Sequence, residues 1–193
     1  MKKIILGVLP LAMLAACGGP SKKVLIISKG DIAVQGNDVT VKEGSSYAEQ
    51  EVELSGSGKT TLNITSPAGK TTADIEGPGY FVLNLRKDTL IGAYQPEGDG
   101  SGSIAEEVVR KRIDSLSQLI KGANVSAANR NFLLAPGQSA KISANTASKV
   151  YGPFHKVPAQ LEATPDGKAP EIYKFLTVDE ARETLGKLTE VVK

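Results

Sequence analysis

The chain has 193 residues, with 23 Lys and Arg against 21 Asp and Glu, one cysteine, one histidine and no tryptophan. One cysteine excludes an intramolecular disulfide and any cysteine-based metal site, and one histidine excludes a multi-histidine centre. Lys2 and Lys3 belong to a removable leader, and without them basic and acidic residues balance at 21 each. Such a surface has no electrostatic pull on nucleic acid.

The leader is MKKIILGVLPLAMLAAC. Two lysines are followed by an apolar run from Ile4 to Leu14, then by small residues and Cys17. The run is too short for a transmembrane helix, which takes about 20 residues, and the pattern is that of an export signal that is cut away. The tetrapeptide Leu14-Ala15-Ala16-Cys17 resembles the lipobox of bacterial lipoproteins. The resemblance implies a signal peptide over 1–16, a lipidated Cys17 and a membrane held through acyl chains, two or more of which anchor stably. Residues 17–23 are expected to form a flexible tether. Gly18 stands where an Asp retains enterobacterial lipoproteins in the inner membrane, so the resemblance implies the outer membrane.

From Val24 to about residue 95 short strands alternate with turn signals, as in a sandwich-like antiparallel sheet. Val24-Leu25-Ile26-Ile27 reads as a buried strand, and Ser66-Pro67-Ala68-Gly69-Lys70 as a hairpin turn. The stretch ELSGSGKTTLNI invites comparison with a phosphate-binding loop. However, Glu53 occupies the position of the first required glycine, and Thr60 to Thr65 alternates like a strand where a helix is needed. Gly56-Ser57-Gly58 is therefore expected to close a β-hairpin, with no nucleotide bound.

Residues 96–103 read as a loop, and Glu97 and Asp99 within it lack the frame of a calcium site. Ser103 with Glu106 forms a capping box for a helix from Ile104 to about Lys121, stopped by Gly122. Val108, Val109, Ile113, Leu116, Leu119 and Ile120 share one face of that helix, and Arg112 projects from its middle. Strands are expected near Phe132–Leu134, Ala140–Ser143 and Ile172–Phe175, and YGPFHKVP (151–158) is extended or loop-like. Thr177 and Glu180 cap a last helix with a narrow apolar stripe. The fold class is thus α+β: a β-rich, sandwich-like half (24–95), loop 96–103, then a long amphipathic helix, further strands and a C-terminal helix (104–193). All of 24–193 is expected to form one domain.

No serine-hydrolase frame surrounds His155, and no metal or cofactor site is expected. Arg112 is a candidate contact for a ligand or partner, since an arginine on an apolar face must snorkel or find an acceptor. Asn129-Arg130-Asn131 offers amide and guanidinium donors beside Phe132, suited to a sugar, a carboxylate or a partner's backbone. DTLIGAYQPEG (88–98) and VSAANRNFLLAPGQ (125–138) resemble small lipoproteins of Bacteroidota, a resemblance that implies no particular activity. It does imply that Asp88-Thr89-Leu90 is an O-glycosylation pattern, with Thr89 the acceptor. The expected function is a non-enzymatic envelope binding module for a protein or glycan partner; the alternative is an envelope hydrolase with an unfamiliar site.

Overall fold

The computed structural model describes residues 21–95, 106–158 and 169–192. Their strands are β1 (Ser21–Lys29), β2 (Ile32–Gln35), β3 (Asp38–Val41), β4 (Tyr47–Ser55), β5 (Lys59–Ser66), β6 (Gly69–Glu76), β7 (Gly79–Asn84), β8 (Leu90–Gln95), β9 (Asn131–Leu134), β10 (Ser139–Ser143), β11 (Lys149–Tyr151) and β12 (Ile172–Thr177). The helices are α1 (Glu106–Ile120) and α2 (Val178–Val191), of 15 and 14 residues. The class is α+β with strands predominating.

Three four-stranded sheets and the helix pair stack in four layers. An outer sheet, β2-β3-β5-β6, packs on a central sheet, β10-β7-β1-β4, and behind that lies a third sheet, β11-β12-β8-β9. The outer and central sheets meet over Leu62, Ile64 and Ile75 on one side and Val24, Ile26 and Leu83 on the other. Leu25, Ile27 and Val82 leave the opposite face of the central sheet and pack on Leu90, Tyr173 and Phe175 of the third. The helices then cover Ile91, Leu133 and Leu176 through Leu116, Leu119 and Ala181. Both faces of β1 and β7 are buried, which is why they read as unbroken apolar runs.

This arrangement corrects three expectations. The sheets are mixed, because β1 runs parallel to β7, β3 to β5 and β11 to β12. Parallel neighbours need a crossover, and the β1–β7 connection supplies it with the whole outer sheet plus β4. Next, Gly56-Ser57-Gly58 closes no hairpin: among the described residues β4 pairs with β1 alone, while β5 pairs with β3 and β6. The turn carries the chain from the central to the outer sheet, where Leu54 and Leu62 face each other across one core. Alternating apolar residues look the same whether two strands pair edge to edge or pack face to face. Finally, Ser21, Lys22 and Lys23 of the expected tether are the first residues of β1, with Lys22 buried and its Nζ donating to Thr60 Oγ1 at 2.6 Å. The hairpin at Ser66–Gly69, the stop at Gly122 (φ 73°) and the capping box of α2 stand as expected.

Candidate functional site

A buried asparagine builds one wall of the site. Asn84, at the end of β7, donates from Nδ2 to the carbonyls of Asp88 and Leu134 and accepts the Arg86 amide on Oδ1. This fixes the turn that presents Arg86, Asp88 and Thr89. The Arg86 side chain is only 5% exposed; its Nη2 donates to Asp88 Oδ2 at 3.0 Å. Nε and Nη1 are buried with no acceptor among the described residues. The guanidinium instead lies 4.6 Å from the ring centre of Tyr47 and 5.1 Å from that of Phe154. Contacts of this kind recover part of the desolvation cost of a cation.

The two rings stack on each other, 4.4 Å apart and 9° from parallel, yet Tyr47 is 50% and Phe154 36% exposed. With Arg86, Thr89 and the first turn of α2 they border an open recess of about 460 Å³. Its charged residues are Arg86, Arg182, Asp88, Asp179 and Glu180, two cations against three carboxylates. Glu180 is engaged in the helix cap, where it accepts from the Thr177 amide.

Phe154 is held in place by its own loop. Glu49, a 4% exposed carboxylate on β4, accepts the amides of Phe154 (2.8 Å) and Gly152 (3.1 Å) and the Nδ1–H of His155 (2.7 Å). Lys174 Nζ binds the same loop from the other side, donating to the carbonyls of Gly152, Pro153 and His155. Burial pulls the Lys174 ammonium below its ordinary value, while the charges of Glu180 and Glu49 act the opposite way. A side chain at Gly152 would collide with the Glu49 carboxylate, so only glycine allows this approach. The His155 ring is exposed and bound to a carboxylate whose two oxygens are already shared with two backbone amides. The arrangement locks a loop.

The expected site residues fall in different places. Thr89 is half-buried in the recess wall. Arg112 lies elsewhere, in a cavity between the helices and the third sheet. Asn131 is buried while Asn129 and Arg130 stay exposed, and all three make contacts within the chain: Asn129 Nδ2 donates to Asn124 Oδ1 at 2.6 Å and Asn131 Nδ2 to the Asn124 carbonyl at 3.3 Å. Arg130 pairs with Glu171 at 3.2 Å and covers the Tyr94 ring at 4.5 Å, from a left-handed backbone (φ 55°). Glu171 also accepts the hydroxyls of Ser143 and Ser148, so this patch ties β9, β10 and β12 together. Cys17, Glu97, Asp99 and Ser103 lie outside the described residues.

Sequence reasoning missed Tyr47, Glu49, Arg86 and Lys174. Glu49 and His155 are 106 residues apart in the chain, and nothing local marks the pair. The one available signal was Phe154-His155 between two prolines, an aromatic and a histidine in a constrained loop. Among the described residues no helix is long and apolar enough to cross a membrane, and no three His, Cys, Asp or Glu side chains gather as metal ligands. Comparison with protein-family models, curated proteins and solved structures finds no match.

Proposed function

We propose that the protein is a lipoprotein anchored through Cys17 to the cell envelope, at the outer membrane, and that it acts there as a non-enzymatic module binding a neutral glycan in the recess beside Arg86. The observation carrying this reading is the exposed Tyr47–Phe154 pair, held rigid by the Glu49 lock next to a buried Arg86. Aromatic faces stack on the apolar faces of sugar rings, while Asp88, Asp179 and Thr89 accept hydroxyl protons and Arg182 donates. The slight excess of carboxylates disfavours an anionic ligand. A sugar on Thr89 would stand in the same recess, so modification of Thr89 and capture of an external glycan exclude each other.

The hydrolase alternative draws on the Glu49–His155 pair. It predicts that His155→Ala abolishes function, whereas the binding reading predicts that His155→Ala leaves glycan binding within about twofold, since exposed contacts contribute little. Titration of envelope glycans, followed by NMR of the Tyr47 and Phe154 rings, tests the proposal. Tyr47→Ala is expected to weaken binding at least tenfold, the loss of about 1.4 kcal/mol of stacking. Cys17→Ala is expected to release the chain from the membrane fraction without changing glycan affinity. Ring signals unmoved by every glycan, but shifted by an envelope protein, would replace the glycan with a protein partner.

A further inference from the structure

The helix layer covers the third sheet thinly. On α1 only Val109 and Leu119 are fully buried, and on α2 only Ala181. Between the helices and strands β8 and β12 remains a cavity of about 350 Å³, walled by Ile91, Leu116, Leu119, Leu176 and Leu188. Two cationic residues line it, Arg112 from α1 and Lys174 from β12, and among the described residues no carboxylate does. The Lys174 ammonium is satisfied by three backbone carbonyls. Arg112 is half-buried and has no hydrogen-bond or ion-pair acceptor among the described residues. Arg112, Ser115, Leu116 and Leu119 follow one another at helical spacing, which places the guanidinium at one end of an aliphatic wall.

An aliphatic pocket with a few polar groups is the usual form of a small-molecule site. Its charge is one-sided, in contrast to the recess beside Arg86. A guanidinium with no acceptor among the described residues, beside apolar walls, is matched by a carboxylate, which it binds in a bidentate fashion. We infer that this cavity is a second binding site, for a single aliphatic chain ending in a carboxylate, with the carboxylate on Arg112 and the chain between Leu116, Leu119, Leu176 and Leu188. A cavity of about 350 Å³ is in the size range of small-molecule sites, and a medium-length aliphatic chain is the ligand tested. The ligand contacts assigned here, Arg112 and the leucines, are not those of the glycan reading, although Lys174 both lines this cavity and holds the Phe154 loop.

The test uses the full chain in nanodiscs of zwitterionic lipid and a photoactivatable dodecanoate with a diazirine at its methyl end. Labelling is expected on the segments 116–119 and 184–188. Dodecanoate should compete about tenfold better than dodecanol, the difference expected for a charge-assisted hydrogen bond. Arg112→Gln should abolish that preference while leaving competition by dodecanol unchanged. Ser115→Trp, at a half-buried position in the wall, should fill the cavity and lower labelling by the dodecanoate probe, with the thermal transition retained to show that the variant is folded. Labelling spread evenly over the surface, equal competition by acid and alcohol, or a preference that survives Arg112→Gln would each overturn the assignment. So would crosslinks showing that residues 96–105 of the chain itself fill the cavity.

Discussion

Tyr80 is 1% exposed in the central sheet, and its hydroxyl donates to Glu51 on β4. Burial, and then the bond to Glu51, push its pKa far above the ordinary value of 10.0. The folded protein therefore keeps a phenolic proton that the unfolded chain gives up near pH 10. Below that pH the stabilisation is fully present, and above it stability falls as pH rises. Tyr151 and Tyr173 are shifted in the same direction by burial and add to the effect. Tyr80→Phe should make the decline of unfolding free energy above pH 10 shallower by up to about 1.4 kcal/mol per pH unit, read from urea melts in alkaline buffers. At this scale the sequence shows residue types and little else. Arg112 was recognisable as a cation on an apolar helix face, whereas nothing local marked Arg86. Its burial follows from Asn84, Tyr47 and Phe154, which come from three separate parts of the chain.

Among the elements, the two helices illustrate what a local signal can do. The capping box of α2 is formed as expected: Thr177 Oγ1 accepts the Glu180 amide at 3.1 Å, and Glu180 accepts the Thr177 amide at 2.8 Å. Thr177→Ala should cost about 1 kcal/mol of stability. Because the first turn of α2 also borders the recess, the same variant should weaken glycan binding, measurable beside the melt in one sample. α1 is less simple. Leu119 is buried and Leu116 and Ile120 pack against the same cluster, but Val108, on the expected apolar arc, is 40% exposed. Helical periodicity defines a direction, and the width of the surface that meets it is set by the neighbouring layer. The turn at Gly56–Gly58 makes the same point for strands. Its flanks alternate correctly, and only the partner strand distinguishes a hairpin from a step between sheets.

The whole molecule is organised around the central sheet, which has a core on each face. Ile26 is 0% exposed and packs toward the outer sheet, while its neighbours Leu25 and Ile27 pack toward the third. Removing volume here affects a layer shared by the rest of the fold. Ile26→Ala should lower stability by about 2–5 kcal/mol. β10, from the second half of the chain, pairs with β7, and β8, from the first half, pairs with β9 and β12. The two halves should therefore unfold in one transition whose denaturant dependence is unchanged by the substitution. Two separated transitions would contradict this interlocking.

By itself the sequence determined the places where backbone chemistry is local: the exclusion of an intramolecular disulfide, the buried strand at Val24–Ile27, the hairpin at Ser66–Gly69 and the capped start of α2. These depend on residues within a few positions of one another. Tertiary structure alone decided that the strands form three stacked, mixed sheets. It also decided that Asn129-Arg130-Asn131 contacts Asn124, Glu171 and Tyr94 and that Tyr47, Glu49, Arg86 and Phe154 meet. The reason is physical. Alternation records which face of a strand is apolar but not which surface covers it, and a buried polar group reveals its partner only once the chain has closed on itself.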